Sequence, residues 1–248
     1  MNLLLPLSGG VAGAIVGSFI ATLCVRWPRE EQATAGRSRC DSCHRRLGTL
    51  ELVPILSWIA FRGRCRTCGA EIPKLHLWVE LVAAALTALA LVLQPNVQGA
   101  TLAVFWLLLL APTVLDARHY WLPDPLTLAI ALAGLVLGGI ASGLPLADRL
   151  IGGAAGFASL WLVATLYRRT RAREGLGAGD SKLLGAIGLW TGWQALPPIL
   201  LIAALGGLAA AAAQGRSRLD RMPFGSLLAA GAFVWSAALA ARSGSLVL

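Results

Sequence analysis

Eight long apolar runs set the terms for this chain. They cover about residues 3–25, 77–94, 99–115, 125–142, 150–167, 182–195, 197–214 and 224–241. With 57% hydrophobic residues, 13% charged residues and a mean hydropathy of +0.71, the chain is far from a soluble domain, which carries about 25% charged residues. Lipid offers no partner for backbone polar groups, so each run must be a helix or part of a closed barrel. The runs are continuous and rich in Leu, Ala and Gly, without the period-two alternation of a barrel strand. The expected fold is therefore an all-α polytopic membrane protein with about eight transmembrane helices. Met1–Pro6 carries no basic residue, so no cleavable signal peptide is expected and the first run reads as a first transmembrane helix.

The connections between runs alternate in charge. Residues 26–76 hold ten Lys or Arg, the turn after the third run holds Arg118, and the 168–182 segment holds Arg168, Arg169, Arg171, Arg173 and Lys182. Arg216, Arg218 and Arg221 follow the seventh run, and only Arg149 and Arg242 fall on the other side. The side with 19 of the 21 basic residues is read as cytoplasmic, which puts both termini outside. The net charge of +9 is thus a topology signal, with membrane lipid as the surroundings and no nucleic acid as a partner. Runs six and seven are short, with Pro197 and Pro198 at their junction. Charge parity asks for two short helices there, because one crossing would carry three arginines outside.

Two C-x2-C pairs, Cys40–Cys43 and Cys65–Cys68, lie in the first basic connection, 21 residues apart. Four thiolates from two tight knuckles can close a tetrahedral structural zinc site. Two disulfides or four free thiols are the alternatives, and a reducing compartment disfavours disulfides. A full set of sulfurs leaves no role as ligand for His44 and no open position for catalysis at the metal. Cys24, inside the first run, reads as a packed apolar residue. Between the knuckles, residues 50–61 are apolar, too short to span, and interrupted by Pro54. They read as an interfacial or re-entrant segment that presses the zinc lobe against the membrane face.

Carboxylates at the edge of hydrocarbon are functional-site candidates by default. Asp116 ends one apolar run and Asp180 opens another, within G-L-G-A-G-D, and charge counting places both on the same face. Gly175, Gly177 and Gly179 leave the backbone free to approach a substrate strand. Asp180 also suits a helix N-terminus, so capping alone is its plainer reading. Two close carboxylates cannot easily both ionise and share a proton. One then activates water and the other protonates a scissile carbonyl oxygen. Asp124, before Pro125, is read as capping the next helix or supporting its loop. Glu80, in the second run, either snorkels to the interface or pairs with an arginine.

These residues carry a family resemblance. The chain resembles the type IV prepilin leader peptidases, membrane aspartyl proteases of the GxGD class, over nearly its whole length. The resemblance lies in G-S-F at 17–19, V-P-I-L-S-W-I-A-F-R-G-R-C-R-T-C at 53–68, V-E-L at 79–81, D-A-R-H-Y-W-L-P-D at 116–124, G-A-G-D-S-K-L-L at 177–184 and P-F-G at 223–225. It implies catalysis by Asp116 and Asp180. Gly177, Gly179, Lys182 and Asp124 then support the turn and the substrate, with Asp124 on the family's Pro-Asp position outside the catalytic pair. The implied reaction cuts prepilins or pseudopilins of type IV pili or type II secretion after a glycine, at the cytoplasmic face of the bacterial inner membrane. Forms that keep the four cysteines also N-methylate the new N-terminus with S-adenosylmethionine. No glycine-rich dinucleotide fingerprint is present, so the methyl-donor site is not placed. The implied organisation is a first helix at 1–25, a zinc loop at 26–76 associated with methylation, and a peptidase core at 77–248. Leu122, where isoleucine is frequent, and a short stretch before the first helix depart from the pattern. A peptidase without methylation is the nearest alternative. A proton-coupled transporter would need acids deep in helices and inverted repeats, and a zinc-bearing scaffold would leave the paired aspartates unexplained.

Overall fold

A computed structural model describes residues 3–33, 37–171, 177–214 and 222–244. Gly175, Arg173 and the turn arginines Arg216, Arg218 and Arg221 lie outside the described residues. Among those described there is no strand, only two isolated bridges, Arg39 with Arg46 and Arg64 with Glu71. The helices are α1 (Leu4–Arg26), α2 (Leu56–Ala60), α3 (Lys74–Leu93), α4 (Val97–His119), α5 (Asp124–Ser142), α6 (Leu146–Arg171), α7 (Ala178–Thr191), α8 (Leu196–Ala213) and α9 (Phe224–Gly244). Every apolar run is helical, as expected of an all-α polytopic membrane protein.

Among the described residues, seven helical stretches are long and apolar enough to cross a bilayer. The exception is α7. Its 14 residues extend about 21 Å at 1.5 Å per residue, short of a hydrocarbon core of about 30 Å. It begins four residues before the expected run, and Gly192, at φ +75°, turns the chain out of it. Pro197 and Pro198 fall in the first turn of α8, where a missing N–H has no intrahelical partner to lose. The junction between runs six and seven is therefore a turn between two helices.

The chain divides into two compact units, Met1–Leu89 and Ala90–Leu248, with the boundary inside α3. In the first, α1 meets α3 through small residues. A side chain on Gly17 would strike Ala83 Cβ at 2.7 Å, and one on Gly13 would strike the Thr87 hydroxyl. In the second, α7 is the buried centre, with Leu183, Leu184 and Ile187 fully enclosed. Glycines allow it to be: Gly152 and Gly156 of α6 lie against the Gly188 and Leu184 carbonyls, where a Cβ would come within 2.6 and 2.7 Å. This is the small-residue packing that lets membrane helices approach closely. Phe105 of α4 stacks on Trp190 of α7 with ring centroids 4.8 Å apart, and Trp190 Nε1 donates to the Ile130 carbonyl of α5 at 2.8 Å. Outward residues such as Val136, Leu162 and Leu208 are apolar and exposed, as side chains that face lipid are.

Arg149, one of the two basic residues on the less charged side, is buried. Its Nη2 donates to the Gly134 and Leu135 carbonyls at 2.6 and 2.7 Å, and its Nε to the Leu189 carbonyl at 3.1 Å. It ties α5 and α7 to α6 and so has a packing reason to break the charge pattern.

Candidate active site and metal centre

Asp116 sits in the last turn of α4, three residues before His119 ends it. Tyr120 closes that end in the left-handed region at φ +53°, its N–H on the Asp116 carbonyl at 2.9 Å. The turn thus comes before Pro123, which instead precedes α5. The Asp116 side chain is buried. Its Oδ2 accepts the Ser226 backbone N–H at 2.7 Å and lies 3.1 Å from Ser226 Oγ, which also donates to the Thr113 carbonyl at 2.9 Å. Ser226 is in the first turn of α9, where backbone N–H groups have no intrahelical acceptor and favour an anion.

Asp180 is the third residue of α7 and is also buried. Its Oδ2 accepts the Gly177 N–H at 3.1 Å, so the capping role is real. Its Oδ1 is left for other work. A Cβ built on Gly225 would lie 3.1 Å from Asp116 Oδ2 and 3.2 Å from Asp180 Oδ1. The two oxygens can be no further apart than those distances combined. The structure therefore brings together two aspartates that are 64 positions apart in sequence, with Gly225 between them. Leu122 packs over both turns: side chains on Gly225 and Gly179 would meet it at 2.6 and 2.8 Å. A side chain at either glycine would require Leu122 to move.

Asp124 differs from the expected cap. It is the first residue of α5, after an extended Pro123, and no side-chain bond closes that end. Its carboxylate instead meets Lys182 Nζ at 2.6 Å. The pair is largely exposed and worth at most about 1 kcal/mol, but it joins the start of α5 to the second turn of α7. Sequence reasoning missed Ser226 and gave Gly225 no role beyond the P-F-G pattern. The readable signal was a serine directly after that pattern, at the start of an apolar run.

The cysteine lobe is built from two copies of one turn. Cys40 N–H donates to the Arg45 carbonyl at 2.9 Å and Cys65 N–H to the Ala70 carbonyl at 2.9 Å. His44 and Gly69 each return an N–H to the first cysteine at 3.0 Å, from positive φ. All four sulfurs lie within 4.8 Å of one another, with Cys40 and Cys68 3.9 Å apart. Tetrahedral zinc with bonds of about 2.3 Å needs sulfur–sulfur edges of about 3.8 Å, so the four cysteines could hold such an ion. His44 is not in the cluster. The Cys65 thiol is held down at about 6, first by the Cys68 amide and then by that of Thr67. Cys68, which the Ala70 amide pulls down, is carried up to about 11 by loss of water and by the neighbouring sulfurs. A binding cation would displace the protons that remain.

The lobe is tied to its surroundings by buried polar bonds. Arg26, at the end of α1, reaches Asp41 of the first knuckle at 2.8 Å and the Arg39 carbonyl at 3.0 Å. Arg45 and Glu51 form a two-pronged pair at 2.6 and 3.1 Å. Residues 49–60 form a short 3-10 turn and α2, with Leu50, Leu56 and Ile59 exposed. Glu80 does neither of the things expected of it. It is buried, and its Oε2 accepts the Ile55 N–H at 2.7 Å.

Fold and sites together define a polytopic helical membrane protein with two buried aspartates at one helix-end cluster and a separate four-cysteine lobe. Residues 11–94 match the Bacterial Peptidase A24 N-terminal domain, and residues 101–212 match the Type IV leader peptidase family. A prepilin leader peptidase/N-methyltransferase of Burkholderia pseudomallei (strain K96243) is 39% identical over 89% of this chain and 81% of its own. Proteins of the same description from Dickeya chrysanthemi and Dichelobacter nodosus are 36% and 38% identical, over 80% and 77% of this chain and 78% and 68% of their own. No solved structure matches. The chain belongs to the prepilin leader peptidase/N-methyltransferase family and is an enzyme.

Proposed function

We propose that this chain cleaves the basic leader of type IV prepilins or pseudopilins after glycine, at the cytoplasmic face of the bacterial inner membrane, and N-methylates the new N-terminus. The convergence of Asp116 and Asp180 on Gly225 carries the reading. Two carboxylates at this spacing hold one proton between them. The ionised one takes a proton from water as the water oxygen bonds to the scissile carbonyl carbon. The other gives its proton to the carbonyl oxygen. When the tetrahedral gem-diol collapses, the C–N bond breaks, the amine leaves with a proton from the carboxylate that activated the water, and a gem-diol hydroxyl returns its proton to the other carboxylate, which restores the shared proton. Ser226, through two donors on one Asp116 oxygen, holds that carboxylate's orientation. Gly177, Gly179, Lys182 and Asp124 hold the turn on which Asp180 stands.

The charge pattern supports a cytoplasmic active face, since Arg168, Arg169, Arg171 and Lys182 flank the α7 start in sequence. Cys40, Cys43, Cys65 and Cys68 would hold a structural zinc ion, which orders the lobe and leaves no open coordination position. The 26–76 loop serves methylation from S-adenosylmethionine, and the 77–248 region forms the peptidase core. Coexpression with a prepilin, followed by mass spectrometry of the pilin N-terminus, tests both activities. Loss of the leader with a gain of one methyl group is expected. An intact leader refutes cleavage, and a cleaved but unmodified amine with the donor supplied refutes methylation.

A further inference from the structure

The first unit contains a cavity of about 260 Å³. Its size is just below that of most small-molecule sites, which run from about 300 Å³ upward. Arg26, Asp41, Trp58, Phe61 and Glu80 are on its walls. Arg26 and Asp41 neutralise each other at 2.8 Å. Among the described residues Glu80 is in no ion pair, and the other charged groups of the lining are Arg29, Arg39, Arg64, Glu51 and Glu71. Glu80 lies in an apolar helix that is long enough to span, and it is buried. An acid in that position is expensive unless it has a function.

Its one hydrogen-bond donor among the described residues is the Ile55 amide, and that amide is held unusually. Leu56 N–H closes on the Pro54 carbonyl at 2.6 Å around Ile55 at φ +63° and ψ −55°. This is the rare γ-turn of positive φ, adopted here by a β-branched residue. The chain thus bears local strain to aim one N–H at one carboxylate, a pattern that clusters at ligand sites. The donor fixes Oε2, and Glu80 stands on the cavity wall. A fixed buried carboxylate on a cavity wall shared with the Trp58 indole suits a weakly hydrated cation, through Coulomb attraction and cation–π contact.

We propose that this cavity is the methyl-donor site and that Glu80 faces the sulfonium of S-adenosylmethionine; this rests on the methyltransferase reading above. Trp58, on the cavity wall, would contact the adenine or the sulfonium methyl, while a face of Phe61 is taken by the Arg66 guanidinium, 4.9 Å from the ring centroid. In the transfer, the lone pair of the neutral pilin amine bonds to the methyl carbon as the C–S bond breaks. The C–S electron pair stays on sulfur, leaving a neutral thioether. The positive charge moves from sulfur to nitrogen within the field of Glu80, and the new ammonium releases its proton to water.

The test is equilibrium binding to the purified full-length enzyme. S-adenosylmethionine is compared with S-adenosylhomocysteine, its neutral thioether counterpart. Glu80→Gln keeps the shape and an acceptor for Ile55, so it should lower the preference for the sulfonium ligand about tenfold or more. Glu80→Asp should keep most of that preference, and Trp58→Ala should weaken both ligands. Prepilin cleavage by Glu80→Gln should stay at the wild-type rate, which shows the variant is folded. A wild-type enzyme that methylates while Glu80→Gln keeps the full preference overturns the cavity assignment alone. Equal loss of both ligands in Glu80→Gln, with Trp58→Ala unaffected, overturns it as well. A wild-type enzyme that neither binds the donor nor methylates overturns the methyltransferase reading and the cavity with it.

Discussion

Gly225→Ala separates catalysis from folding at the dyad. The added Cβ would stand 2.6 Å from Leu122 Cδ1, 3.1 Å from Asp116 Oδ2 and 3.2 Å from Asp180 Oδ1. The leucine methyl is the end of a flexible side chain and can turn away. The carboxylates are less free, because each is anchored by a backbone N–H, from Ser226 and from Gly177, and each must move by a few tenths of an ångström. Overpacking of this kind costs about 1–3 kcal/mol, and replacing a helical glycine by alanine returns about 0.5–1 kcal/mol. The net stability change is therefore small. Displacement of reacting groups on the ångström scale costs about 100-fold in rate, or about 2.7 kcal/mol of barrier. The expected result is a folded enzyme with thermal stability near wild type and prepilin cleavage in proteoliposomes down about 10- to 100-fold. Adding Leu122→Ala should relieve the 2.6 Å clash without restoring the rate. Wild-type cleavage by Gly225→Ala, or full rescue by Leu122→Ala, would refute the idea that the carboxylates require this glycine.

Other outcomes follow from the same geometry. Ser226→Ala keeps the backbone donor on Asp116 and loses the hydroxyl, so cleavage should fall by about tenfold or less, the worth of one hydrogen bond of about 0.5–1.5 kcal/mol, in the same proteoliposome assay. Removing zinc with a chelator, or Cys40→Ser, should release the metal seen by elemental analysis and abolish methylation, while leader cleavage continues. The Glu51 carboxyl is held below its usual range, first by Arg45 and then by the Gly48 amide. A depressed folded pKa contributes stability above the unfolded value of about 4.3, and that stability is lost as pH falls through the lowered folded value. Protease resistance of the lobe should therefore differ between wild type and Glu51→Gln at neutral pH and converge in acid.

Residue chemistry alone made much of this molecule readable. Long apolar runs have one stable form in lipid, so the helices could be placed within a few residues. Asp116 and Asp180 stood out because each interrupts hydrocarbon. Cys40, Cys43, Cys65 and Cys68 stood out because two knuckles at that spacing could hold one ion. What remained hidden depends on long-range approach. Ser226 meets Asp116 across 110 positions, and a serine at a helix start looks like any other. Glu80 could not be assigned because its partner is a backbone amide exposed by a γ-turn, and no side-chain pattern encodes that. The same holds for Asp124, whose Lys182 partner is 58 positions away. The 14-residue length of α7 was legible, since the sixth run has the same length, but its start was placed four residues late.

The most direct test of the central claim is leader cleavage by purified Asp116→Asn and Asp180→Asn enzymes in proteoliposomes, with donor binding measured on the same samples. Each asparagine keeps the shape of the site and removes one member of the proton-sharing pair. The prediction is that each variant loses cleavage by roughly 100- to 10,000-fold or more while it still binds S-adenosylmethionine like the wild type. Cleavage at the wild-type rate by either variant would contradict the aspartate dyad.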